Sequence, residues 1–310
     1  MARKESKADA DAAGGLQTGR KESGQSAQKG KQAADERSSK ATDSVKSQAG
    51  PPKTVWREYF ESAIYTAIMF VFFITFIGRT VGVPTGSMQN TIYIGDYFLI
   101  NKFIFAPGSH PFFLPQREIR RGDIIVFKYP GDRDNPGRDA TSRPPVTPYK
   151  DYFIKRVIGL PGETIELRGA TVLINNQPLP EHRIKSEPGT NGLAPLTILE
   201  NPSRQVNEPY SVYYTPQTLA VLPDYPEKPP SIFHYAVEKP YLIPQNHYFV
   251  MGDNRDDSAD SRAWGPVAAE LVVGRALFVF WSKDESKPPN NLLIDFFVRS
   301  RWNRIGTMIK

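Results

Sequence analysis

The pattern of hydrophobic and polar positions divides the chain into three regimes. Met1 to about Lys53 has no aromatic and almost no branched apolar residue among its Ala, Ser, Gly, Gln, Lys, Asp and Glu. Such a stretch buries too little surface to offset the entropy of ordering, so residues 1–55 read as a disordered basic tail. Ser62 to Gly78, SAIYTAIMFVFFITFIG, then carries no charge at all. As a helix this run covers roughly 25 Å, a little under the ~30 Å hydrocarbon core of a bilayer. Tyr59, Phe60 and Val81 extend it while Arg57 and Arg79 snorkel, which predicts one transmembrane anchor over 56–80. A cleaved leader is the weaker reading, because the preceding tail is long and no Ala-x-Ala-like site follows Gly78.

Beyond the anchor the period shortens. Tyr93 to Phe103, Asp123 to Tyr129, Tyr152 to Ile158, Thr164 to Leu167, Thr171 to Ile174, Tyr248 to Met251 and Leu271 to Phe280 are short apolar or alternating runs rich in Ile, Val, Phe and Tyr. They read as strands. Leu160-Pro161-Gly162-Glu163 has the Pro and Gly of a type II turn at its centre. Pro130 to Lys150 reads as a loop, whereas proline-rich 181–239 is too long for one and reads as a smaller β-rich insertion. The expected fold is mainly β: a single N-terminal transmembrane helix, then an antiparallel sheet domain over 81–180 and 240–298. A basic C-terminal segment, 299–310, follows; the stretch from Leu292 to Lys310 is suited either to packing on the domain or to an anionic membrane surface.

Composition narrows the function. A chain of 310 residues, 39% hydrophobic, supplies a real core. The absence of cysteine excludes a thiol nucleophile, a cysteine zinc site and disulfides. The net charge of +6 and pI near 9.3 would suit an anionic partner. Much of the basic excess lies in the tail and the last dozen residues, however, so the middle does not read as a nucleic-acid binder. Lys and Arg gather before the apolar run, which places that side in the cytoplasm and the rest outside.

Three stretches carry candidate chemistry. In VPTGSMQNTIYI, Pro84 and Gly86 force a turn that presents the Ser87 hydroxyl, a candidate nucleophile. In DYFIKRVIGLPGE, strand periodicity puts Lys155 on one face with Phe153 and Val157, opposite Ile154, Arg156 and Ile158. Apolar surroundings disfavour an ammonium ion and free its amine to act as a base; a guanidinium has no such option. In GDNRDDSADSR the alternating Asp, Ser and Arg suggest a hydrogen-bonded network, with Asp253, Asp256 or Asp260 paired to Arg255 or Arg262 and Ser258 or Ser261 free for another partner. The loop lacks the Gly and Glu that an EF-hand calcium site requires. His110, His182, His234 and His247 show no metal-ligand spacing, and none is singled out for a Ser-His-Asp triad.

In this order, PTGSM, RGDIIVF, YFIKRVIGLPGE and GDNRDDSADSR, the motifs resemble those of bacterial type I signal peptidases. The resemblance covers the anchor and the sheet domain and is weakest in the tail and in 181–239. It implies a serine endopeptidase with a Ser-Lys dyad, Ser87 as nucleophile and Lys155 as general base. It further implies Thr85 in the oxyanion hole, Ser258 orienting the lysine, and Asp260 with Arg262 as a supporting ion pair. The implied partners are signal peptides of exported preproteins and membrane lipid, with no metal or cofactor. Two positions depart from the family pattern: Asn90 stands where Pro is usual, implying a less rigid turn, and Asp257 replaces a common Asn and is expected to point away from Lys155. A self-cleaving Ser-Lys repressor would need a DNA-binding segment in place of the anchor. A membrane-tethered β-rich binding module without activity is the alternative from another class.

Overall fold

The structure, a computed structural model, describes residues 54–72, 78–105, 116–132, 145–220, 233–288 and 291–310. The expected disordered tail lies outside these residues as far as Lys53, as do His110 and the middle of the Pro130–Lys150 loop. The chain divides into two compact units, Met1–Ala67 and Ile68–Lys310. Helix α1 (Val55–Phe72) buries none of its described side chains. Its first turns carry Arg57, Glu58 and Glu61, with Arg57 Nε donating to Glu61 at 2.9 Å. Among the described residues no helix is long and apolar enough to cross a membrane. The apolar run expected to stay helical to residue 80 changes at its end, for β1 (Gly78–Gly82) pairs antiparallel with β2 (Asp96–Asn101). Apolar content alone does not distinguish a helix end from a strand start.

The main sheet has seven strands in the order β1-β2-β14-β3-β4-β12-β13. They are β1, β2, β3 (Ile124–Lys128), β4 (Tyr152–Gly159), β12 (His247–Met251), β13 (Val267–Ala268) and β14 (Val272–Ser282). The long β14 lies between β2 and β3 although it comes last in the chain. Strand β3 shows why the sheet has two dry faces: Ile124 and Val126 join one core with Met88, Phe98 and Ile100, while Ile125 and Phe127 join another with Val157, Val250 and Trp264. The turn at Leu160 forms as expected, with Gly162 at φ 80° and Glu163 N donating to Leu160 O at 3.2 Å.

The expected antiparallel sheet domain holds a second sheet as well, for β5 (Thr164–Arg168), β6 (Thr171–Ile174), β7 (Gln177–Pro178) and β11 (Tyr241–Leu242) make a separate four-stranded one. Within 181–239 a third sheet joins β8 (His182–Glu187), β9 (Thr197–Glu200) and β10 (Ser211–Tyr214), followed by the short helix α2 (Pro216–Ala220). Helix α3 (Ser261–Trp264) leads into β13, and α4 (Leu292–Val298) into the C-terminal segment. That segment packs on β14 through the bridge Phe278–Met308 and just past its end through Lys283–Ser300, and Ile309 joins the core that holds Met88. Phe296, Phe297 and Trp302 stay exposed.

Candidate active site

Pro84 and Gly86 lead the chain out of β1 into one turn of 3-10 helix, Gly86–Met88. Met88 is wholly buried and pins the turn from below, which leaves Ser87 at the surface of the core, 7% exposed. Lys155 comes from β4, opposite Ile125 of β3. It shares its face with Phe153 and Val157, as the periodicity requires, and its Nζ lies 5.5 Å from the Phe153 ring centre. The side chain is 4% exposed. Its Nζ meets Ser87 Oγ at 2.6 Å and donates to Ile154 O at 3.1 Å. Burial pushes the amine down from its ordinary 10.5 to about 8; Asp260 opposes that shift and Arg262 reinforces it.

The Gly252–Arg262 loop backs this pair. Asn254 donates from N to Ser87 O and from Nδ2 to Gly86 O, each at 3.1 Å, so the loop holds the backbone of the Ser87 turn. Asp260 caps α3 through Arg262 N at 3.2 Å and grips Arg262 at two points, 2.8 and 2.9 Å. It also accepts from Gly252 N at 3.0 Å and from Ser258 Oγ at 2.7 Å. Burial by itself would raise Asp260, yet the guanidinium and these donors hold it below the usual carboxylate range. Ser258 therefore donates to Asp260, and among the described residues no hydrogen bond joins it to Lys155. The other pairs differ from the sequence expectation. Asp253 takes Arg156 of β4 at two points of 2.7 Å, and Arg255 pairs with Glu181 in full burial. Both partners lie far away in sequence, where no local spacing could reveal them.

A groove of about 280 Å³ opens over the pair, lined by Val81, Thr85, Ser87, Phe98, Ile154 and Lys155 among others. Among the described residues no histidine lines it: His182 bonds Glu208 and Asn201, and His247 bonds Gln245 O. Among the described residues no cluster of His, Asp and Glu could hold a metal ion. Asp257, expected to point away, lines the groove beside Gly86 and draws the Lys155 amine slightly upward, a weak effect beside burial. Asn90 does not loosen the turn either. It adopts φ 71°, which a proline ring forbids, and exchanges two hydrogen bonds with Leu196.

Residues 56–281 match the family described as signal peptidase, peptidase S26. The chain belongs to that family. Among its relatives are the signal peptidase I of Pseudomonas aeruginosa, 29% identical over 75% of each chain, and that of Pseudomonas fluorescens, 30% identical over 74% of each. The signal peptidase I of Leptolyngbya laminosa is 31% identical over 67% of this chain and 70% of its own. As an S26 peptidase the chain is a serine endopeptidase, a hydrolase of peptide bonds. For that chemistry the groove offers a hydroxyl, an amine that burial makes readier to give up its proton, and room for an extended chain.

Proposed function

We propose that this protein is a membrane-bound peptidase that removes N-terminal signal peptides from exported preproteins through Ser87 and Lys155. The observation that carries the reading is the 2.6 Å contact between Ser87 Oγ and a lysine amine whose pKa lies near 8. Neutral Lys155 takes the hydroxyl proton as Oγ attacks the scissile carbonyl. Thr85 and the Ser87 N–H, free of an acceptor in the first turn of a helix, stand ready for the oxyanion. The lysine then gives its proton to the leaving amine as the C–N bond breaks, and afterwards activates the water that hydrolyses the Ser87 ester. Asp260 and Arg262 keep the loop in place, with Ser258 tied into the same network.

Two backbone edges face the groove. Strand β1 ends the sheet, and β12 reaches only Arg156 along β4, leaving Tyr152–Ile154 unpaired on that side. A substrate segment adds there as an extended strand, its small side chains seated among Val81, Phe98, Val126 and Ile154. The apolar side chains that α1 exposes, from Trp56 to Phe72, suit lipid. They support an anchor in the inner membrane, and the Lys and Arg that gather before the apolar run favour the tail in the cytoplasm and the peptidase domain outside. Sharing one bilayer with the substrate's own apolar segment raises its effective concentration.

The test is conversion of a secreted precursor to mature length by the purified full chain. Ser87→Ala and Lys155→Ala are each expected to abolish conversion, by roughly 10³-fold or more. Conversion undiminished in either variant would refute the dyad.

A further inference from the structure

The groove does not end at the nucleophile. A second cavity, about 300 Å³, opens on the other side of Gly86 and Asp257, two residues that line both. Its outer wall is a loop of the third sheet running from Glu187 to Leu196. Two side chains of the Ser87 turn hold that wall. Gln89 Nε2 donates to Ala194 O at 2.8 Å; Asn90 Nδ2 donates to Leu196 O at 3.1 Å and accepts from Leu196 N at 2.9 Å. Among the described residues three carboxylates, Glu187, Asp256 and Asp257, line this cavity and no Lys or Arg does. Asp256 is already engaged by Thr215, whereas Glu187 and Asp257 face solvent.

We infer that this second cavity receives the first residues of the mature chain, those just after the cut, and that its carboxylates favour a cationic side chain there. The inference rests on the peptidase reading above. An extended segment lying along β1 and Tyr152–Ile154 brings its scissile carbonyl to Ser87 and leaves past Gly86 and Asp257, the junction the two cavities share. Each further residue advances about 3.3 Å, so the second and third residues after the cut come within reach of Asp257 and Glu187. The division of labour follows the lining: apolar on the signal-peptide side, anionic on the mature side. It also gives the insertion a role, since its loop forms the wall and Asn90 fastens that wall to the turn bearing the nucleophile.

The experiment uses the purified full chain and three precursors that differ only at the second and third residues after the cut, carrying Lys, Ala or Glu. Cleavage should rank Lys, Ala, Glu by kcat/KM, with Lys about fivefold over Glu at low salt and the preference shrinking as salt rises. The difference should appear mainly in KM. In Glu187→Gln/Asp257→Asn the Lys-to-Glu ratio should fall to about one; any change in the Lys155 amine cancels in that ratio. Asn90→Gly, which keeps the backbone angle and releases Leu196, should lower the ratio as well. A ratio near one in the unaltered chain, or one that either variant leaves unchanged, overturns the inference and leaves the peptidase reading standing. Failure to cut any of the three removes that reading and this one together.

Discussion

The chemistry of Lys155 is set by where its amine sits. The free chain holds this proton up to the ordinary 10.5, but the folded chain releases it near 8. Activity should therefore climb as pH rises through about 8, and a kcat/KM profile flat from pH 6 to 10 would remove Lys155 as the base. The stability effect has a definite sign. Between the two values the unfolded state binds more protons, so stability rises with pH there; below about 8 the buried amine costs the fold roughly 3 kcal/mol. Lys155→Met should accordingly lose activity yet melt about 5 °C higher at pH 7, measured by calorimetry. A lysine on an apolar strand face was legible in the sequence. Its contact with Ser87 came only from the family likeness, because sequence spacing does not report distance in the fold.

Strands and their turns follow from local pattern. β3, β4, β6 and β12 lie where alternating Ile, Val, Phe and Tyr put them, and Pro161-Gly162 turns as its angles demand. The end of the apolar run did not follow, since Gly78–Gly82 satisfies a strand and a helix equally until β2 is there to pair with it. The Gly252–Arg262 loop was legible as a network, and its Asp260–Arg262 pair with it, but the other partners were not, for Asp253 reaches Arg156 and Ser258 reaches Asp260. Gly252 matters to that loop through lack of a side chain: a Cβ there would overlap Ser258 Oγ and Ser87 O at once. Gly252→Ala should lower kcat by about a hundredfold with the far-ultraviolet circular dichroism unchanged, the size expected when reacting groups shift by about an ångström. Wild-type turnover in that variant would mean the loop and the Ser87 turn are not in register.

Across the whole molecule, the insertion is joined to the Gly252–Arg262 loop by a buried pair, Arg255 with Glu181, inside a shell of Tyr210 and Tyr214. Removing one partner strands the other in a dry interior, so Arg255→Met should lower stability by about 3–5 kcal/mol, seen as a lower urea midpoint. Arg255→Met/Glu181→Gln, which leaves no lone charge behind, should recover much of that loss. The position of β14 has a different consequence, one of timing. Ser87 and Lys155 leave the ribosome early, but the strand that must slot between β2 and β3 is not made until residues 272–282 are translated. A nascent chain stalled before that point has no closed platform to press hydroxyl and amine together. Peptidase activity should therefore begin only once this last strand is in place, and a chain ending before residue 272 is expected to be inactive.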